Sequence, residues 1–544
     1  MTKFKSKALS FVTAFMLMFT FAALLPEGTL TANAETHAYE LWIFGKQVTS
    51  DNASDILGDG AASYNASTNT LTIKKDMIGE DYILKNEIKG LTVKTTKALT
   101  LQSENYAGLY FIKDATVQTN GKLTIKVDSG CYAIFCNSSD SNKPVITIKD
   151  SDIEFSGWTG IHGYYNNSRL NIINSNIKLT TTYKGNGAIS GFNKGVYLTN
   201  CYVKSPAKSL IRNGNLYTDT TASEIALSVE ICKGRLAGSN RYDTAAVISK
   251  ASYDKASNVV LASGTSYADA LAGVPLAKKL KAPILLTDPT KLSAETLTEI
   301  KRLGAKNVTI LGGEGAVSKA VETTLKSNGC TVSRIQGSTR FGTAAAVADK
   351  IDSAPTALFF VYGNDYADAL SISPVASVTN SPIIYLNKDG NMHPETAAYL
   401  AALKKKGCVR TAYVIGGEGV ISKPMMQKAA DALGLINGKQ ITRTAGGNRY
   451  ETCIKVNKSF VNSVQRDMIC VATGLDFPDA LAGGVFAGIH AAPLFLVNGK
   501  PTIGLSQVQK DYLDEKTPNG MAIFGGTGAV SDKTVSDINA VIKK

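Results

Sequence analysis

A chain of 544 residues is too long for one hydrophobic core and must divide into several domains. Its 44% hydrophobic content and mean hydropathy of −0.01 read as a soluble, globular chain. The formal net charge of +13 favours an anionic partner, but no nucleic-acid-binding motif accompanies it, so nucleic acid is not expected.

Residues 1–34 read as a secretory signal. Lys3, Lys5 and Lys7 form a positive n-region, Ala8 to Leu25 is an uncharged apolar run, and Ala32-Asn33-Ala34 is an A-x-A-type cleavage site before Glu35. The alternative is an uncleaved membrane anchor, since the run is nearly long enough to span. No second apolar run and no LPxTG-type sorting motif follows. The exported chain is therefore expected to have no membrane span after cleavage and to be held at the wall by its folded domains or not held at all.

Residues 35–225 read as all-β. Trp42 lies in an opening segment of two or three strands with tight turns, which suits the cap of a repeating structure. This segment is similar to the start of uncharacterised β-rich domains of secreted clostridial proteins, a match that carries no activity. Leu123-Thr-Ile125, Ile146-Thr-Ile148, Leu170-Asn-Ile172 and Val196-Tyr-Leu198 are apolar-polar-apolar triplets spaced by 23, 24 and 26 residues, and Leu99-Thr-Leu101 extends the series backwards. A small polar pair follows the last three: Asp150-Ser151, Asn174-Ser175 and Asn200-Cys201. Alternation means strands and the fixed period means a solenoid. The expected object is a right-handed parallel β-helix of about five coils, with a β-sandwich as the alternative. No catalytic set emerges: Asp150, Asp152, Glu154 and Lys178 fit a charged solvent face as well as a lyase groove. Trp158, His162, Tyr164 and Tyr165 form a local aromatic cluster, able to stack on sugars or simply to pack.

The remainder divides into three copies of one module, at 226–337, 338–442 and 443–544. They open Arg235-Leu-Ala-Gly238-Ser-Asn-Arg241-Tyr242-Asp-Thr244, Arg334-Ile-Gln-Gly337-Ser-Thr-Arg340-Phe341-Gly-Thr343 and Arg443-Thr-Ala-Gly446-Gly-Asn-Arg449-Tyr450-Glu-Thr452. Each continues to an acidic signature (Tyr267-Ala-Asp269, Tyr366-Ala-Asp368, Phe477-Pro-Asp479) and to a glycine pair (Gly312-Gly313, Gly416-Gly417, Gly525-Gly526). Strands alternate with helices, as in Asn258–Ala262, Ser266–Lys279 and Pro283–Leu286, which points to a Rossmann-like open parallel sheet. Residues 231–544 hold about 36 Lys and Arg against 25 Asp and Glu, while 36–230 hold about 19 against 18, so the basic excess sits in the repeats. Triplication suits binding better than catalysis, because linked weak sites raise avidity.

The chemistry of the motifs leaves two readings for each. Asp269, Asp368 and Asp479 fit helix capping, with Ser266, Asp365 and Asp476 at the N-cap, or a fixed contact with arginine, or a ligand. The glycine turns fit a plain strand–helix connection or an anion-receiving helix terminus, although the GxGxxG and Walker spacings are missing. Arg235, Arg241, Arg334, Arg340, Arg443 and Arg449 suit bidentate recognition of phosphate or carboxylate. The alternative pairs them inside the module with the three aspartates. In the second repeat, Phe341-Gly342 departs from Tyr-Asp and Tyr-Glu and puts that site in doubt.

In kind, order and number these motifs resemble the cell-wall-binding repeat type 2 of clostridial surface and S-layer-associated proteins, over about residues 231–544. The resemblance implies non-covalent anchoring to an anionic, teichoic-acid-like wall polysaccharide, with the modules in one compact pseudo-threefold unit. S-layer proteins or host glycans are further partners it would allow. A wall-anchored lyase or hydrolase with its site in the β-helix is the rival reading. Eight cysteines without a CxxC pair point to buried thiols, and four histidines without ligand spacing to no metal; no cofactor is expected.

Overall fold

The computed structural model describes residues 35–104, 107–128, 130–139, 141–165, 167–207, 209–218, 224–464 and 467–542. The signal expected over 1–34 lies outside the described residues.

The N-terminal region is a solenoid walled by three seven-stranded sheets. Along one, Leu91, Ala115, Ile146, Leu170 and Val196 stack in register. Along the next, Leu99, Leu123, Ile153 and Ile177 do so, and along the third Leu109, Ile134, Ile161 and Ile189. The triplet at Leu123 therefore stacks on Ile153, not on Ile146 as the spacing implied. Both sheets use the same alternation, so a period of one coil does not say to which wall a triplet belongs. The polar pairs are the corners between two walls. Asp150, Asn174 and Asn200 take left-handed backbone at φ +49°, +47° and +52°, which such short polar side chains tolerate. Ser151, Ser175 and Cys201 point inward and satisfy one another: Ser151 N donates to Ser175 Oγ at 3.1 Å, and Ser175 N to Cys201 Sγ at 3.2 Å. Antiparallel strands close the first coil (Ala38–Ile43 with Lys46–Thr49, Ala62–Asn65 with Thr70–Ile73), and Ser228–Lys233 inserts antiparallel at the far end.

The repeats build three four-stranded, all-parallel sheets. The first runs Ile284–Thr287, Asn258–Ser263, Asn307–Leu311, Thr331–Ile335, and the second Ile383–Leu386, Ala357–Tyr362, Thr411–Ile415, Ile441–Thr444. The third runs Leu494–Val497, Met468–Thr473, Gly520–Phe524 and then Arg235–Leu236. In each sheet the last strand carries the first arginine of an opening motif. The third sheet takes its last strand from the front of the first repeat, so the three are closed into a ring.

The helices after the first strands meet at the centre. Ala367–Thr379 and Pro478–His490 begin at the acidic signature, but in the first repeat only Gly273–Lys279 is α-helical, not Ser266–Lys279 as expected. Asp365 accepts from Tyr366 N at 2.6 Å and Asp476 from Phe477 N at 2.9 Å, but the N-caps are Tyr366 and Phe477 and neither helix has a side-chain cap bond, so Asp365 and Asp476 do not cap these helices as expected. Ser266 stands at the corresponding position of the first repeat, where residues 268–272 form turns. A shared apolar core joins the three helices, with Gly484 against Val274 and Ser373, and Gly488 against Ser377. The solenoid docks on the third module through Tyr202, which is 1% exposed and lies 5.2 Å from Phe486. Among the described residues no cysteine is in a disulfide, and no helix is long and apolar enough to cross a membrane.

Candidate functional site

The opening motif folds as a locked loop. Gly238, Gly337 and Gly446 donate their N–H to the hydroxyls of Thr244, Thr343 and Thr452 at 3.1, 3.1 and 3.0 Å. A Cβ on any of these glycines would overlap the first-turn backbone of the following helix. Asn240 and Asn448 cap that helix. The next loop amide is held by an acid on the same helix: Ser239 N by Asp243 and Gly447 N by Glu451, both at 2.9 Å. Gly342 removes that acid from the second repeat, and Glu395 takes its place from the helix Pro394–Lys406. Its carboxylate accepts from Ser338 N at 3.0 Å, Ser338 Oγ at 2.9 Å and Thr339 Oγ1 at 2.5 Å. These bonds, the Thr339 hydroxyl first among them, hold the Glu395 carboxyl below its ordinary pKa. The irregular repeat thus keeps its loop shape through a residue 53 positions away from Gly342, which no local pattern marks.

The two arginines of each motif do different things. Arg235, Arg334 and Arg443 donate to the carbonyls of Gly525, Gly312 and Gly416 at 3.0, 2.8 and 2.6 Å, tying each glycine turn to the strand beside it. Arg235 also binds Val530 O and Asp532, Arg334 binds Glu322, and Arg443 binds Ile421 O. Arg241, Arg340 and Arg449 each begin a helix and donate to the carbonyls of Gly264, Gly363 and Gly474. Their outer nitrogens reach into the preceding repeat. Arg241 meets Asp476 at 3.4 Å, Arg449 meets Asp365 at 3.3 Å, and Arg340 lies over the Tyr267 ring at 5.8 Å. Cross-repeat partners are thus Asp365 and Asp476, three residues before the signature aspartates.

Asp269, Asp368 and Asp479 press instead on Gly312, Gly416 and Gly525, where any Cβ would collide with the carboxylate. Those glycines also sit at φ +91°, +109° and +98°, so two independent demands require glycine. Burial, and the nearby carboxylates of Asp365 and Asp476, raise Asp368 to about 7 and Asp479 to about 6. The second glycines differ: around a Cβ on Gly417 or Gly526 there is no heavy atom within 4 Å, while at Gly313 Gln336 is the neighbour. The turn does not itself open the helix. Ser422 and Ser531 cap it six residues after the first glycine, accepting from Met425 N and Thr534 N.

These parts converge across repeat boundaries. Asp365, Asp368, Gly417 and Gly419 of the second repeat face Asn448 and Arg449 of the third across a cleft of about 560 Å³. Asp476, Asp479, Gly526 and Gly528 of the third face Asn240 and Arg241 of the first across one of about 440 Å³, where Lys500 adds a cation. Both clefts pair an arginine edge and open glycine backbone with a carboxyl floor near its titration point. Tyr267, Tyr366 and Phe477, one from each repeat, meet with centroids 5.5, 5.8 and 6.3 Å apart. Tyr267 donates its hydroxyl to Asn364 O and Tyr366 to Leu475 O, each in the next repeat.

In the solenoid Glu154 lies between Lys122 and Lys178, as one rung of a charge ladder. Asp150 accepts from Asn174 Nδ2 at 2.7 Å. Among the described residues no three His, Cys, Asp or Glu side chains are grouped to hold a metal ion.

A family model described as cell wall binding domain 2 matches residues 235–322, 334–426 and 443–535. The chain is 36% identical over 304 residues to the N-acetylmuramoyl-L-alanine amidase LytC of Bacillus subtilis, covering 56% of this chain and 57% of that protein. It is 27% identical over 297 residues to the amidase enhancer of the same organism, covering 55% and 39%. The chain thus spans less than two thirds of either relative. The solved structure of Cwp6 from Clostridium difficile superposes with a TM-score of 0.52 at 29% identity, over 57% of this chain and 48% of that one.

Proposed function

The chain belongs to the cell wall binding domain 2 family and is a surface protein of the cell wall, and from this we propose how it is held there. The three repeats are Rossmann-like modules arranged about a pseudo-threefold axis at the Tyr267–Tyr366–Phe477 contact. An anionic, teichoic-acid-like wall polymer lies in the clefts at their junctions. The carrying observation is that motifs from two successive repeats build each cleft, with Arg449 and Arg241 at the rims. In this reading Arg241, Arg340 and Arg449 touch polymer together with Gly417, Gly526 and their counterparts, while Arg235, Arg334 and Arg443 hold the glycine turns in place. Asp269, Asp368 and Asp479, with Gly312, Gly416 and Gly525, form the floor. The basic excess of residues 231–544 favours an anionic partner, and clefts on one chain multiply effective concentration. Co-sedimentation of the purified protein with intact walls and with walls stripped of anionic polymer tests this. Equal retention on both would refute it.

The N-terminal solenoid is the displayed part, for binding or adhesion, with S-layer proteins or host glycans as partners. The names of the two Bacillus subtilis relatives favour a second reading, in which the protein acts on the wall or assists an enzyme that does. Release of reducing ends or peptide stems from walls incubated with the full chain, alone or with an amidase, would support it.

A further inference from the structure

One outer face of the solenoid differs from the other two. Across six neighbouring strands a single register position reads Trp42, Lys85, Tyr110, Phe135, His162 and Ser190. The first five side chains point outward, since their strand neighbours Leu41, Leu84, Leu109, Ile134 and Ile161 are buried, while Ser190 at the end of the row is itself buried. Lys85 Nζ lies 4.5 Å over the Trp42 ring. Tyr110 and Phe135 stack at 5.5 Å and 9°, and Phe135 and His162 at 6.0 Å and 23°. Further rings flank this row on both sides. On one, Tyr132 stacks on His162 at 5.2 Å and Trp158 on Tyr183 at 4.0 Å. On the other, Tyr164 leans on Phe135 at 5.7 Å and on Tyr165 at 4.2 Å. Tyr164, Tyr165 and Tyr183 are 44%, 64% and 38% exposed.

The matching outward positions of the other walls are Thr92, Thr116, Thr147, Asn171 and Tyr197 on one, where the single ring stands at the end of the row, and Thr100, Thr124, Glu154 and Lys178 on the other. All three walls share coil spacing and solvent, so coil stacking alone does not require aromatics on one of them, and an exposed aromatic strip marks an interaction surface. The chemistry narrows the occupant. The strands Leu84–Asn86, Leu109–Phe111, Tyr132–Asn137 and Thr159–Tyr164 are paired on both sides, so a peptide cannot be captured there by strand addition. Charge is balanced, with Lys85 paired to Glu87 at 2.7 Å, and burial keeps His162 neutral at pH 7, its pKa lowered to about 4. The rings offer apolar bodies with polar tips, and Asn137 Nδ2 donates to Tyr110 OH at 2.8 Å while His162 Nδ1 and Ser190 Oγ lie 2.9 Å apart. A pyranose has the complementary pair, an apolar C–H face and a rim of hydroxyls, and a linear glycan repeats along one direction as this row does. We propose that this face of the solenoid binds a linear, uncharged glycan laid along the solenoid axis.

The site is separate from the junction clefts and stands or falls without them. Both tryptophans of the protein, Trp42 and Trp158, lie in the strip, so intrinsic tryptophan fluorescence reports on it alone. The full chain is titrated with cellohexaose, chitohexaose, xylohexaose and mannohexaose in 0.5 M salt, which suppresses binding through charge. At least one hexaose should shift the emission saturably, bind tighter than its disaccharide, and lose tenfold or more affinity in Tyr164→Ala/Tyr165→Ala and in Tyr183→Ala. These are exposed positions, and unchanged thermal melting verifies the fold. Silence toward all four hexaoses, unchanged affinity in both variants, or a response only to a polyanion or a proline-rich peptide would overturn the proposal. Equal retention on intact and polymer-stripped walls with intact hexaose binding would count against the clefts and leave this site untouched.

Discussion

Arg449 of the third repeat holds Asp365 of the second, its Nη2 3.3 Å from Oδ2, while its Nη1 donates to the carbonyl of Gly474 in its own repeat at 2.6 Å. The same guanidinium therefore staples two repeats and forms the edge of the cleft between them. Both side chains remain about one third exposed, at 32% and 35%, so the staple is a modest one. The Arg241–Asp476 contact repeats the relationship between the first and third repeats.

Replacing Arg241, Arg340 and Arg449 together by Lys keeps the charge and removes the planar fork. Each site should lose about 1 kcal/mol or less, the range of a partly exposed ion pair, leaving a folded protein by thermal denaturation. Retention on walls should fall at least tenfold. A folded triple variant that sediments with walls like the parent would remove these arginines from the polymer site.

The two glycines of each pair should respond in opposite ways to alanine. Gly416→Ala and Gly525→Ala meet both a positive φ and an aspartate carboxylate, and should cost about 2–4 kcal/mol. Gly417→Ala and Gly526→Ala face open space and should stay within about 0.5 kcal/mol of the parent, while their methyl groups intrude on the clefts and weaken wall binding. Urea denaturation and co-sedimentation measure the two effects separately.

The stability contributed by Asp368 and Asp479 should decline as pH rises from about 4 to 7. Asp368 and Asp479 have folded-state pKa values of about 7 and 6, above the ordinary 3.8, so the native state binds more protons than the unfolded chain. The stability these two sites contribute is complete below the unfolded value and is lost as each carboxyl ionises. Asp368→Asn should stabilise the protein at pH 8 by roughly 1–3 kcal/mol and change it little at pH 4. A parallel pH profile for parent and variant would argue against the shift.

Gly342 and Glu395 should behave as one unit. Gly342→Asp alone places a second acid where the Glu395 carboxylate already sits, and Glu395→Ala alone leaves Ser338 N and Thr339 Oγ1 without their acceptor. Each should destabilise by about 1–3 kcal/mol. The double variant recreates the arrangement of the other repeats and should recover at least about 1 kcal/mol of the summed loss, read as the interaction energy of the cycle.

A chain ending at residue 442 should not fold as two intact modules. Arg235–Leu236 would lose its pairing with Gly520–Phe524, and the helices Gly273–Lys279 and Ala367–Thr379 would expose the face covered by Pro478–His490. Aggregation by size-exclusion chromatography is the expected outcome. Two cooperative, soluble modules would contradict the closed ring.

The sequence by itself determined the kinds of element and the repeat count. Alternation at Leu170-Asn-Ile172 can only bury one side of a strand, and motifs that recur three times announce three similar units, because both signals are local in the chain. It did not determine which wall of the solenoid a triplet joins, since Leu123 and Ile146 carry the same alternation on different sheets. Nor could it show that Asp368 opposes Gly416 while Arg449 opposes Asp365, since within one repeat every arginine is equally available to every acid. It missed Glu395, which stands in for an acid absent at Gly342 from a different helix. Only the tertiary structure decided these pairings, because ring closure through Arg235–Leu236 brings the motifs of one repeat against those of the next, and contacts across a boundary leave no period in the chain for a sequence to display.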